Sequence, residues 1–502
     1  MRAKCQRAFP QLLAGIQGVF VPVGVARMAG QKSKTLDSRP RIKVRGRFRG
    51  NDRAWQWGMV LLSVVCSLDP LGGGSVKAQT SPEERLNLAG RAFAQGDFPR
   101  SVELVEPLLK DAQWRRASSR FKMLSLARLG KTAEGIQAYE QFVETDGSDE
   151  GLLRELAVQS ILPFRADMRE QVRGAAYSAL KEIPSDEVVP YFQDGLSDGS
   201  GMIRVLVAEG MGKFPKGRQS EGFRNALQDQ AGLVRVTILK ALGGMGDPGT
   251  IPLITPLLKD EQRIVQVAAA AALYRLGRKE HWQTVERATS VPEGYERGAA
   301  LRMLGEIGAP QGLPLLAQGL RDKQPSIRAA AAASLGKLGS VEGAPFLINA
   351  LADPVPAVRS VAAVTLGKLR AEQAVSPLTR ALQDRNMGVR AAAVAGLLEL
   401  SSPFSVVAGT VRELMGQQNP GLRSSVAKAL GHGRARDVVG PLLLLLNDPV
   451  PKPQISAARS LGRVGGREMI PHLKRLMKEA NEAVRATAAG AIARILSSPP
   501  ET

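Results

Sequence analysis

Along most of this chain, apolar residues fall in pairs of short helical stripes. In Gly343-Ala-Pro-Phe-Leu-Ile-Asn-Ala-Leu-Ala-Asp353, and again in Val358-Arg-Ser-Val-Ala-Ala-Val-Thr-Leu-Gly367, they recur at helical spacing around a short bend. Such spacing gathers them on one face of each segment and predicts two helices joined by a turn. The pattern then repeats. Arg173, Arg204, Arg235, Gln266, Arg297, Arg328, Arg359 and Arg390 stand 31 residues apart; after one step of 33 come Arg423, Gln454 and Arg485, again at 31. A fixed period of this size marks a row of units, each burying its apolar face only against its neighbours. The predicted fold class is all-α: an α-solenoid, a superhelix of stacked helix pairs, with about eleven units over residues 151–498. At helix spacings of 8–10 Å, the stack should form a curved rod on the order of 100 Å long.

Punctuation within the unit agrees with this reading. Pro190, Pro252, Pro314, Pro345, Pro377, Pro441 and Pro471 sit near the start of first helices, where the missing N–H costs nothing. An aspartate precedes most second helices, where a carboxylate can cap free N–H groups. Glycine eight residues after the anchor, at 212, 243, 305, 336, 367, 431 and 462, is expected to end the second helix.

Residues 79–150 follow a different rhythm. Leu88-Ala-Gly-Arg-Ala-Phe-Ala-Gln-Gly-Asp-Phe98 leads into an apolar helix through Val102, Val105 and Leu108, and Gly130 lies 34 residues after Gly96. Helices are expected at 119–129 and 133–145. This spacing resembles the tetratricopeptide family of 34-residue helix pairs, in two units. The family's small second-helix residue is Ser101 in one and Gly135 in the other.

The 31-residue unit resembles the HEAT family, in particular the short, phycobilin-lyase-like HEAT repeats. That resemblance implies an extended groove lined mainly by second helices, on which Arg302, Lys337, Lys368, Glu399 and Lys428 look exposed. It also implies an internal ladder of Asp and Arg.

Spacing points to the same ladder. Asp167, Asp198, Asp229, Asp260, Asp322, Asp353, Asp384 and Asp448 each lie six residues before an anchor. A basic stripe for phosphate needs no acid at a fixed offset, whereas a ladder needs both partners. The expected structural set is Asp167, Arg173, Asp198, Arg204, Asp229, Arg235, Asp322, Arg328, Asp353, Arg359, Asp384 and Arg390, each Arg meeting the carboxylate of a neighbouring unit.

Charge changes the picture less than its total suggests. Of the net +21, residues 1–78 carry +11 (14 Lys or Arg against three Asp), which leaves +10 for the rest. Those first residues resemble a basic leader with a secretory signal: Arg45, Arg47, Arg49 and Arg53, an apolar core over 55–68, then Val76-Lys77-Ala78 as a small-x-small cleavage pattern. The expected location after cleavage near Ala78 is the periplasm or the medium; a cytoplasmic or organellar location is the alternative. Both cysteines, Cys5 and Cys66, lie upstream of Ala78, so a cleaved chain would hold no thiol. Membrane attachment would need the leader to be retained or lipidated at Cys66. Residues 499–502 read as a short tail.

Catalytic patterns fail on context. Gly244-Met-Gly-Asp-Pro-Gly249 has dinucleotide-type glycines, but it follows a helix and contains Pro248. Gly130-Lys131-Thr132 lacks the earlier glycine of a phosphate loop, with Ser125 in its place. His281, His432 and His472 form no i, i+3 or i+4 pair and no His-Glu dyad, as a di-iron hydroxylase would require. No catalytic, cofactor or metal residue is expected, and no cofactor. The function read from the sequence is a non-catalytic scaffold for other proteins or peptides. Two alternatives carry less support: nucleic-acid binding, disfavoured by 4% aromatic content, and a lyase-like enzyme acting on a protein-bound chromophore.

Overall fold

A computed structural model describes residues 80–498; the leader, its proposed signal core and cleavage pattern, and the tail lie outside the described residues. Four helices come first: Pro82–Ala94, Phe98–Val105, Ala112–Arg128 and Thr132–Asp146. The Ser81 hydroxyl caps the first by accepting from the Glu84 amide at 3.2 Å. Gly96 and Gly130 turn between paired helices at φ +83° and +76°, a conformation that favours glycine. The third helix starts at Ala112 rather than 119, because Asp111 caps it by accepting from the Gln113 amide at 2.9 Å.

Eleven helix pairs follow, numbered here as units 1 to 11 by their anchors from Arg173 to Arg485. The first member of several units is a helix of about two turns entered through a 3-10 turn, as in Val341–Gly343 before Ala344–Ala350, while Glu150–Ile161, Phe404–Met415 and Ala435–Leu446 run to 12 residues. The second member is regular, such as Pro356–Lys368. Proline opens first helices at 252, 314, 345 and 471, and also second helices at 325, 356, 420 and 451. Pro441 departs from expectation: its helix begins six residues earlier, at Ala435, so the ring lies inside it.

Consecutive second helices pack along their length, while consecutive first helices scarcely meet. The array therefore curves toward the second helices, which form an inner wall. Small residues permit that close approach. A Cβ on Gly367 would stand 2.7 Å from the Gly396 Cα, and one on Gly462 would stand 2.9 Å from the Ala491 Cα. This corrects the role expected of the +8 glycines. Gly243, Gly305, Gly336, Gly367 and Gly462 lie within their helices, and only Gly212 and Gly431 follow the last helical residue. The left-handed turn comes three residues later, at Gly246, Gly277, Gly308 and Gly339. Units 7 and 8 place Arg370 (φ 50°) and Ser401 (φ 58°) there instead.

Accumulated curvature closes the stack. The unit 11 second helix, Glu482–Ile495, packs on both unit 1 helices, Glu150–Ile161 and Glu170–Glu182. Instead of an open curved rod, the eleven units make a ring. Along the seam the Arg463 guanidinium donates to Glu182 at 2.6 Å, and Arg494 donates to the Glu182 carbonyl at 2.8 Å, satisfying a helix C-terminus. Arg154 donates to the Ser497 hydroxyl at 3.0 Å, and Arg169 pairs with Glu482 at 3.1 Å. The helix Thr132–Asp146 reaches over the outside of the seam, where Glu140 accepts from Lys478 at 2.8 Å.

Candidate binding surface on the inner wall

The ladder residues join units to one another. The Arg359 guanidinium donates to both Asp384 oxygens, each at 2.8 Å, while its Nη1 donates to the Asp353 carbonyl at 2.8 Å. Asp384 Oδ1 also accepts from the Asn386 amide at 2.8 Å, which caps the next second helix. One motif thus clamps unit to unit and starts a helix. Arg173 with Asp198, Arg204 with Asp229, Arg235 with Asp260, Arg297 with Asp322, Arg328 with Asp353 and Arg423 with Asp448 repeat the pairing across 25 residues. Arg204, Arg235 and Arg359 are buried, so the row offers little charge to solvent.

Two members of the expected set are placed otherwise. Asp167 has no preceding unit in sequence and binds Arg169 at 2.9 Å, which pulls its carboxyl down to about 2. Arg390 meets Glu413 at 2.7 Å, because residue 415, where the aspartate would fall, is Met415. At Gln266 the amide donates to the Asp260 carbonyl at 2.7 Å, keeping the within-unit bond only.

With the anchors facing between units, the inner wall is built by other columns. On the second helices, positions five and nine after the anchor lie one turn apart on the face turned away from the first helices. Over eleven units these columns carry ten Lys or Arg and four Glu. All four acids are engaged. Glu182 binds Arg463 and Arg494; Glu209 accepts from Lys181 at 2.9 Å; Glu306 meets Lys240 at 2.8 Å and also Lys337; Glu399 meets His432 at 2.7 Å. The Lys240–Glu306 pair spans two units over Ala271, as a strongly concave wall allows. Burial pushes the Glu306 carboxyl up, but the two ammonium groups outweigh it and hold it below its ordinary value.

Cations remain in excess. Arg275, Arg302, Lys368, Lys428 and Arg459 form no ion pair or hydrogen bond to a carboxylate among the described residues. The first four are exposed, and burial lowers the Arg459 guanidinium from its ordinary value against the opposing pull of Glu182. The sequence had singled out Arg302, Lys368 and Lys428. It also named Lys337 and Glu399, which are already paired. Arg275 and Arg459 were missed, although the same +5 and +9 columns would have found them.

At the other end of the same face, two residues before the anchor, apolar side chains are exposed: Met202 at 62%, Leu233 at 48% and Tyr295 at 59%, in units 2, 3 and 5. Eleven residues of helix separate the apolar edge from the basic edge, roughly 16 Å. No group of three or more His, Cys, Asp or Glu among the described residues could hold a metal ion.

The sequence profile described as HEAT repeats matches residues 220–291, 283–364, 344–408 and 407–493. The chain belongs to the HEAT-repeat family. A search of curated proteins returned no match. Among solved structures, this HEAT chain is similar to human deoxyhypusine hydroxylase, in a complex with glycerol, at 21% identity, covering 50% of this chain and 98% of that one, with TM-score 0.28. It is similar to the CpcE–CpcF complex of phycocyanin lyase from Nostoc sp. PCC7120 at 21% identity over 48% and 93% of the two chains, TM-score 0.33. It also resembles YibA from E. coli at 18% identity over 53% and 98%, TM-score 0.31. At such levels the activities of those proteins are theirs alone, and the chemistry of this chain rests on its own residues.

Proposed function

We propose that this HEAT-repeat chain is a non-catalytic scaffold that holds protein partners outside the cytoplasm. One observation carries the reading: eleven second helices stand side by side as a continuous inner wall, in which the repeating residues fasten the units while the non-repeating ones line the concave face. The helix pairs over 82–146, read as tetratricopeptide-like, would add a second, peptide-sized groove. Export rests on the apolar core over 55–68 and the Val76-Lys77-Ala78 pattern that follows.

N-terminal sequencing of the mature chain from fractionated cells tests export; a start near Gln79 in the periplasm or medium is expected, and an intact leader on cytoplasmic protein refutes it. Affinity purification of the intact chain from envelope extract tests the scaffold. Recovery of no partner at all would overturn it.

A further inference from the structure

We propose that the inner wall binds an acidic, amphipathic polypeptide segment, most simply a helix, threaded along or across the ring. The inference rests on the scaffold reading and names the chemistry of its partner.

Three observations converge on that occupant. First, the wall has balanced its own acids: Glu182, Glu209, Glu306 and Glu399 are all engaged, and six cations are left without a carboxylate, one of them, Lys213, bound to the Lys181 carbonyl. These cations recur from unit 2 (Lys213) to unit 10 (Arg459), so they surround the lumen rather than forming one patch. An unneutralised concave surface focuses its field inward and favours an anionic guest. Second, Met202, Leu233 and Tyr295 are exposed on the same wall, about three turns of helix from the basic edge. A guest with carboxylates on one side and apolar side chains on the other would engage both. A phosphate backbone would use only the cations, and the wall offers one aromatic ring where stacking would need several. Third, eleven helices spaced 8–10 Å apart enclose a lumen roughly 20 Å across, wide enough for one helix with its side chains. The chain's own leader is unsuited as occupant, since residues 1–78 carry a net +11.

The test uses the full chain and a fluorescein-labelled amphipathic helical peptide with Glu on its polar face and Leu on its apolar face. Controls are the same peptide with Gln for Glu, and a labelled DNA duplex. The expected result is binding of the Glu peptide that weakens with salt and falls about tenfold or more in the Arg302→Glu, Lys368→Glu, Lys428→Glu triple variant. Because those side chains are exposed and unpaired, the variant should keep the wild-type melting temperature. Lys259→Glu, in the first helix of unit 4, should leave binding unchanged. Equal binding of the Gln peptide, equal binding by the triple variant, absence of binding, or displacement of the peptide by duplex DNA would each overturn the proposal. If the triple variant still recovers every envelope partner of the wild type, the scaffold stands and this assignment of the wall falls. If neither protein recovers any partner, the scaffold reading itself fails.

Discussion

Gly490 in the last second helix rests directly on Ala179 in the first: a Cβ at 490 would stand 2.8 Å from the Ala179 Cβ and 3.0 Å from its Cα. Elsewhere on the inner wall the close contact is made by glycine eight after an anchor. Here it is made by glycine five after the anchor, so the seam closes in its own register.

Gly490→Leu should force the seam apart. Overpacking at such a contact costs about 1–3 kcal/mol, and it acts on the junction where Glu482–Ile495 packs against both unit 1 helices beside partly exposed ion pairs. Small-angle scattering should show a larger radius of gyration with helical content unchanged by circular dichroism. An unchanged radius would refute closure through this contact.

Removing one ladder arginine should be costly. Arg359→Ala leaves Asp384 without its bidentate partner, and breaking a buried pair from one side costs about 3–5 kcal/mol. A lowered melting temperature is expected, with binding to the inner wall unaffected at full folding. If melting does not change, the ladder is not a fastening. Arg359→Met combined with Asp384→Leu should recover much of the loss, because no lone charge then remains.

Acid should loosen the same joints. The guanidinium of Arg328 holds the Asp353 carboxyl below its ordinary value despite burial, and Arg423 does the same for Asp448. A carboxyl depressed in the folded state contributes stability in full above its unfolded value, near pH 4, and loses it as pH falls through the lower folded value. Thermal melts should therefore lose their ladder-dependent part below about pH 4. Asp353→Asn should show a smaller acid decline than the wild type.

Arg370 and Ser401 occupy the left-handed position filled by glycine in units 3 to 6. Side chains are strained there by roughly 1–2 kcal/mol. Arg370→Gly and Ser401→Gly should each raise the melting temperature, with a gain nearer 1 kcal/mol once glycine's extra unfolded-state entropy is counted. A drop in either would mean that the side chain earns its place through contacts.

The sequence disclosed the step but not the sum. Arg359 and Asp353 fixed the unit, its neighbour contact and the start of its second helix, because each depends on spacing within one or two units. Ring closure depends on small angles between units added eleven times, and no spacing of residues encodes that total. Gly367 was misread for a local reason: glycine both stops helices and thins their interfaces, and only the facing Gly396 shows which role applies. The basic wall was half legible. Arg302, Lys368 and Lys428 look exposed from periodicity alone, whereas the loss of Lys337 and Glu399 to ion pairs with Glu306 and His432 needs the third dimension.

An open row of repeats has two ends that fray, and its units can form in any order as the chain emerges. This ring has no frayed end among its eleven units, and its seam joins residues 281 to 343 positions apart, such as Glu182 with Arg463 and Arg154 with Ser497. Those bonds cannot form until nearly the whole chain exists. Closure therefore waits on the far end of the chain, and a chain truncated by one unit would lose the seam partners of unit 1 and with them the enclosed wall.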